Sequence, residues 1–190
     1  EDRLRSDRLV TLVGIGGVGK TTLALEVARR VGRHFPGGVW WVDLARLAVG
    51  TSVDDAFMDA LGLEPRPGLG PLDVIATAVG ESNALFVVDN CEHLLDSAKA
   101  AVSGLMEACT GVSVLATSRE ILGIRGEQIA PVGPLPVPSS IEDAINNPSV
   151  DLFARRAGGA AGKFQLTSVV LPAVVDIVRR LDGLPLAIEI

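Results

Sequence analysis

The stretch GIGGVGKTT, residues 14–22, constrains this chain more than any other. It satisfies G-x-x-x-x-G-K-[ST] through Gly14, Gly19, Lys20 and Thr21, directly after the apolar run RLVTLVG (8–14) and at the start of the amphipathic pattern TTLALEVARRV. Glycines let successive backbone N–H groups turn inward with no side chain in the way, which makes a nest for an anion. Gly14, Gly16, Gly17, Val18 and Gly19 supply that backbone, and the helix opening at Lys20 adds the positive end of its dipole. Lys20 can then reach the outer phosphates of a nucleotide and the Thr21 hydroxyl can ligate Mg2+, with Thr22 beside it in the same turn. A glycine-rich turn that only joins strand to helix is the alternative. The four fixed positions, with strand and helix both in place, favour the phosphate cradle.

Three further β-rich runs follow, GVWWVDL (38–44), ALFVVD (84–89) and GVSVLATS (111–118), and a weaker one lies around EQIAPV (127–132). The runs at 8–14, 84–89 and 111–118 are nearly continuous in apolar residues, the pattern of central strands in a parallel sheet covered on both faces. Helical patterns at 20–33, 52–61, 72–81 and 94–109 separate them, so the chain reads as a doubly wound α/β fold. Past the Pro-rich segment 131–140 only helical patterns remain, at 148–158, 168–183 and 184–190. The expected division is an α/β domain over 1–137 and a partial helical domain over 138–190, cut inside a larger protein. The Trp40–Trp41 pair is expected to send one ring to each face of its strand.

Asp89 ends the run ALFVV, where a carboxylate can hold Mg2+ through a water; a capping Asp is the alternative. The next residue is Asn90, whose amide cannot take a proton from water. Glu92 is the nearest downstream carboxylate, and either activates water as a general base or serves as a first-turn acid favourable to a helix dipole. Cys91 and His93 are expected to pack or hydrogen-bond locally. LATSRE (115–120) brings Thr117, Ser118 and Arg119 to the C-terminal end of a strand, the edge at which open α/β sheets bind ligands. Arg119 there can stabilise phosphate charge and report a terminal phosphate.

The net charge is −6, which argues against direct nucleic-acid binding by these residues. Hydrophobic content of 48% with 21% charged residues fits a packed core, and no apolar run is long enough to span a bilayer. Cys91 and Cys109 make no metal or redox spacing, so a reduced, cytoplasmic setting is expected.

Taken in order, RLVTLVGIGGVGKTTLALEVA, GVWWVDLARL, LFVVDNCEHLL, VLATSRE, VGPLPVP, DLFARRA and LDGLPLAIE resemble the nucleotide-binding module of STAND-type signalling P-loop NTPases. The similarity is to the NB-ARC-like ATPase domains of large bacterial transcriptional regulators of the SARP and LuxR types. It implies a five-stranded parallel sheet of order 5-1-4-3-2, ATP/ADP with Mg2+ as ligands, and slow hydrolysis. It also implies that Arg119 faces the γ-phosphate and that Pro185, in GLP (183–185), packs near the adenine. Family members are switches that can self-associate with ATP and reach DNA only through other domains. The adenine-covering hhGRxxE-like stretch and the winged-helix region are expected outside these residues, with weaker nucleotide affinity in their absence. The readings weighed against a switch are a fast AAA-like remodelling ATPase, a small-molecule P-loop kinase and a nucleotide-free scaffold. Arg155, Arg156, Arg179 and Arg180 are the finger candidates for the first of these, or else a solvated helix face.

Overall fold

The computed structural model describes residues 2–48, 51–161 and 164–190. In chain order its elements are α1 (Arg3–Ser6), β1 (Leu9–Val13), α2 (Lys20–Val31), β2 (Val39–Asp43), α3 (Val53–Leu61), α4 (Pro71–Val79), β3 (Ala84–Asp89), α5 (Leu95–Ala108), β4 (Val112–Ser118), β5 (Gln128–Pro131), α6 (Pro148–Ala161), α7 (Leu171–Arg180) and α8 (Pro185–Glu189). Contacts divide the chain into two units, Glu1–Gly14 with Lys20–Pro131, and Ile15–Gly19 with Val132–Ile190.

In the first unit all five strands run parallel, in the order β2-β3-β4-β1-β5. Read from the other edge this is the expected 5-1-4-3-2. Burial explains which strands lie inside: every residue of β3 and β4 is buried, and so is all of β1 but its last residue. Such strands must be covered on both faces, so they sit inside the sheet, while the half-exposed β2 and β5 take its edges. Alternate residues of one face, Phe86 and Val88 of β3 with Val114 and Ala116 of β4, join the core with α3, α4 and α5. The Phe57 ring meets the Phe86 ring edge-on at 5.6 Å there, and Trp40 packs against the same core. Helix α2 touches β1, β3 and β4 but shares no residue with that core, and covers the opposite face.

Local chemistry sets the helix ends. Helix α3 stops at Gly62, whose left-handed φ of 65° suits glycine. Helix α4 opens on Pro71, and Asp73 reaches back to accept the Gly70 N–H. Arg8, before β1, makes a clamp that no sequence pattern announces. Its Nε donates to Val112 O at 2.9 Å, and its Nη2 to Met106 O at 2.9 Å and Cys109 O at 2.6 Å. Through Nη2 the cation thus sits on carbonyls at the C-terminal end of α5, where the helix dipole favours positive charge. Replacing it, Arg8→Ala, is expected to lower the unfolding free energy in urea by about 2 kcal/mol. A change near zero would mean that solvent serves those carbonyls equally well.

The second unit has its own core of Ala144, Val150, Val174, Val175, Val178 and Ile188. Asn147 caps α6, its Oδ1 accepting from both the backbone N–H and the hydroxyl of Ser149, after which Pro148 suits the first turn. Helix α7 is shorter than its 168–183 pattern, because the backbone first makes a turn in which Val170 and Leu171 both donate to Thr167 O. Gly183 has φ 64°, and a Cβ there would stand 2.0 Å from Leu135 O. The same glycine's carbonyl accepts from Leu135 N at 2.9 Å, so the glycine of GLP is a close-approach residue that ties the loop at 135 to the end of α7.

Candidate functional site

The C-terminal ends of β1, β3 and β4 bring four of the candidate side chains together within the first unit. Lys20 opens α2 and is 7% exposed, its Nζ donating to Gly14 O at 2.9 Å. Next to it the Thr21 hydroxyl lies 3.0 Å from both oxygens of Asp89, the last residue of β3. Asp89 is itself 3% exposed and receives two more bonds, from the Thr117 hydroxyl to Oδ1 at 2.5 Å and from Asn90 Nδ2 to Oδ2 at 3.1 Å. A buried carboxylate needs such donors.

Asn90 has a left-handed backbone, φ 61° and ψ 44°, and its N–H donates to the Thr117 hydroxyl at 3.0 Å. That turn leads into a short 3-10 segment, Cys91–Leu94, ahead of α5, and Glu92 lies in this segment. Glu92 Oε1 accepts from Arg119 Nε at 3.2 Å; Arg119 follows β4. Cys91 is fully buried with Sγ on Val88 O, and burial, followed by the negative charges of Glu92 and Asp89, pushes its thiol up to about 12. It is a packing residue, without thiolate chemistry at neutral pH. His93 meets Leu47 O through Nε2.

Two features lay outside sequence reasoning. The hydroxyls of Thr117 and Ser118, placed by the sequence at the ligand-binding edge of the sheet, are both buried with protein partners: Thr117 on Asp89 and Asn90, Ser118 on the Glu120 N–H. The pattern LATS marks a strand end but not which partner each hydroxyl finds. Glu127 was missed altogether. Its carboxylate accepts from the N–H groups of Leu122, Gly123 and Ile124, closing the loop that follows Arg119.

In the second unit the loop Ile15–Gly19 packs against α8. Gly17 has φ 77°, its O accepts from Leu186 N at 3.0 Å, and a Cβ on it would come 2.8 Å from Leu186 Cβ. Both the backbone conformation and the neighbour therefore demand glycine at 17. Gly19 has φ 93°, and its added Cβ would meet Pro185 Cγ at 3.9 Å. Three arginines of this unit bond within it: Arg156 to Glu189, Arg179 to Pro138 O and Arg155 to Asp151 O.

The model for the NB-ARC domain matches residues 2–121. A protein of Mycobacterium tuberculosis, Rv0890c, named as an HTH-type transcriptional regulator, is 41% identical over 98% of this chain and 20% of its own length. The regulatory protein AfsR of Streptomyces griseus is 32% identical over 94% of this chain and 17% of its own. Overall the chain spans less than half the length of the curated relatives it matches. Among solved structures, a STAND protein (signal transduction ATPase with numerous domains) with a tetratricopeptide repeat sensor, from Pyrococcus horikoshii, shares the fold at a TM-score of 0.54. Its sequence identity is 16%, over 97% of this chain and 27% of that one. The glycine loop, the Lys20–Thr21 pair and the β3 carboxylate thus stand within a matched family, and the chain belongs to the NB-ARC domain family.

Proposed function

We propose that this domain is a regulatory switch that holds ATP and ADP, with Mg2+, in the loop 14–22, and that it hydrolyses ATP slowly. The observation that carries the reading is the Thr21–Asp89 pair beside the buried Lys20. The donor set fits the ion: a hydroxyl and a carboxylate are hard oxygens, and Mg2+ takes one or two protein oxygens together with phosphate oxygens and water. The loop fits the phosphates, since Gly17 and Gly19 hold backbone conformations at which L side chains are strained. Bound there, Mg2+ would neutralise charge on the outer phosphates.

In this reading Lys20 gives its ammonium to the outer phosphates, Thr21 and Asp89 hold the metal, and Thr117 with Asn90 keeps the carboxylate turned toward Thr21. Arg119 meets a terminal phosphate. Slow hydrolysis follows from the position after Asp89. Asn90 supplies no base, and Glu92, the candidate base, has Oε1 on Arg119 and Oε2 buried. One oxygen is thus engaged by a cation and the other is buried, which weakens Glu92 as a base. The relatives named as regulators support an output in transcription, through segments beyond these residues. Among the described residues no helix is long and apolar enough to cross a membrane.

The test is phosphate release from ATP by the purified chain under single-turnover conditions. The expected rate is well below the median enzyme turnover of about 10 per second, on the order of one event per minute or slower. Release at several per second would instead favour a remodelling motor.

A further inference from the structure

The Glu92–Arg119 pair joins the segment after β3 to the end of β4, and its geometry is more specific than a surface ion pair requires. Arg119 is exposed, at 66% of its side-chain area, whereas Glu92 is exposed at 18%. One partner is therefore fixed and the other would be free without it. Several contacts fix Glu92. Its 3-10 segment follows the left-handed Asn90, whose N–H is tied to Thr117, and the neighbouring Cys91 side chain is fully buried. Glu92 Oε2 is buried with no partner among the described residues, so the carboxylate is wedged rather than swinging in solvent. The bond to Arg119 uses Nε, on the side edge of the guanidinium. A contact on that edge orients the plane while the two terminal amino groups remain the part that grips phosphate oxygens. The backbone beyond Arg119 is held as well, by Ser118 Oγ on the Glu120 N–H and by Glu127 on the three N–H groups of residues 122–124.

We propose that Glu92 is a positioning residue: it holds Arg119 ready for a terminal phosphate and thereby sets the preference of the site for a triphosphate over a diphosphate. The inference rests on the nucleotide-switch reading and deepens it. A free arginine side chain has many rotamers, and ordering it only when the ligand arrives reduces affinity; Glu92 orders it beforehand. A diphosphate lacks the group that Arg119 meets and gains nothing from the arrangement.

The experiment is calorimetric titration of ATP and of ADP, each with Mg2+, into the chain and its Glu92→Ala, Glu92→Gln, Arg119→Ala and doubly substituted Glu92→Ala/Arg119→Ala variants. Immobilising one such side chain corresponds to about a three- to tenfold change in affinity. Glu92→Ala should weaken ATP by that factor and ADP by less than about twofold. Glu92→Gln keeps an oxygen acceptor in the same place and should restore ATP affinity to within about threefold of the unsubstituted chain. The double variant should bind ATP no more weakly than Arg119→Ala alone, because Glu92 acts through Arg119. Additive losses in the double variant would overturn the inference, as would a gain in ATP affinity for Glu92→Ala or equal losses for both nucleotides. If the unsubstituted chain binds both nucleotides and Glu92→Ala leaves ATP affinity intact, only this inference fails. If it binds neither, the switch reading fails with it.

Discussion

Replacing Lys20 with alanine is expected to abolish the phosphate-dependent part of nucleotide binding, lowering ATP affinity by roughly a hundredfold or more. The ammonium is the basic group of the G-x-x-x-x-G-K-[ST] motif, and it is already drawn in, 7% exposed, onto the carbonyl of Gly14. In the proposed site, removing it takes away the side-chain cation closest to the glycine loop and leaves the outer phosphates to the backbone N–H groups, Mg2+ and Arg119. The effect on folding should be small by comparison, because the side chain bonds a carbonyl at a loop edge and belongs to neither hydrophobic core. Titration of ATP into Lys20→Ala, next to a thermal melt, separates the two effects. Unchanged ATP affinity in a folded variant would remove the loop 14–22 from the site.

The second large effect is expected at Asp89, and there binding and stability move together. Its carboxylate accepts from Thr21, Thr117 and Asn90 in a nearly solvent-free position. Asp89→Ala leaves the O–H of the fully buried Thr117 without its acceptor and should lower stability by roughly 3 kcal/mol, while also ending the Mg2+ dependence of ATP binding. Asp89→Asn separates these consequences. It keeps the shape and one acceptor oxygen, so most of the stability should return, but it lacks the negative charge that holds a divalent cation. ATP binding to Asp89→Asn should therefore be insensitive to chelation of Mg2+. If Mg2+ still strengthens ATP binding to that variant as it does in the unsubstituted chain, the metal is held elsewhere.

The parts of this molecule that were legible in its sequence are those where burial or backbone geometry restricts residue choice. The double-sided apolar runs of β1, β3 and β4 identify interior strands, because only apolar residues suit positions covered on both faces. The sheet order itself came from the resemblance, since apolar runs name interior strands without ranking them. Strand β5 is faint for the opposite reason: its four residues lie at an edge and none is buried, so little selects their type. In the candidate site, the glycine loop, Lys20 and Thr21 were readable as a spaced motif, and Asp89 as an acid at the end of an apolar run. The roles of Thr117, Glu127 and Arg8 were not. Each acts through hydrogen bonds to backbone or to a single distant atom, as Arg8 does with carbonyls about a hundred residues away, and such bonds leave no periodicity behind. Glu92 shows the limit most clearly. Its place after Asp89 suggested a base or a helix-dipole acid, and only the backbone turn at Asn90 and the bond from Arg119 point to a third role.

The most direct measurement is calorimetric titration of the chain with ATP and with ADP, in Mg2+ and again in excess chelator. The account predicts saturable binding of both nucleotides at one site per chain, with ATP binding weakened when Mg2+ is withdrawn. Heat indistinguishable from dilution for both nucleotides, from a chain whose melt shows it folded, would contradict it.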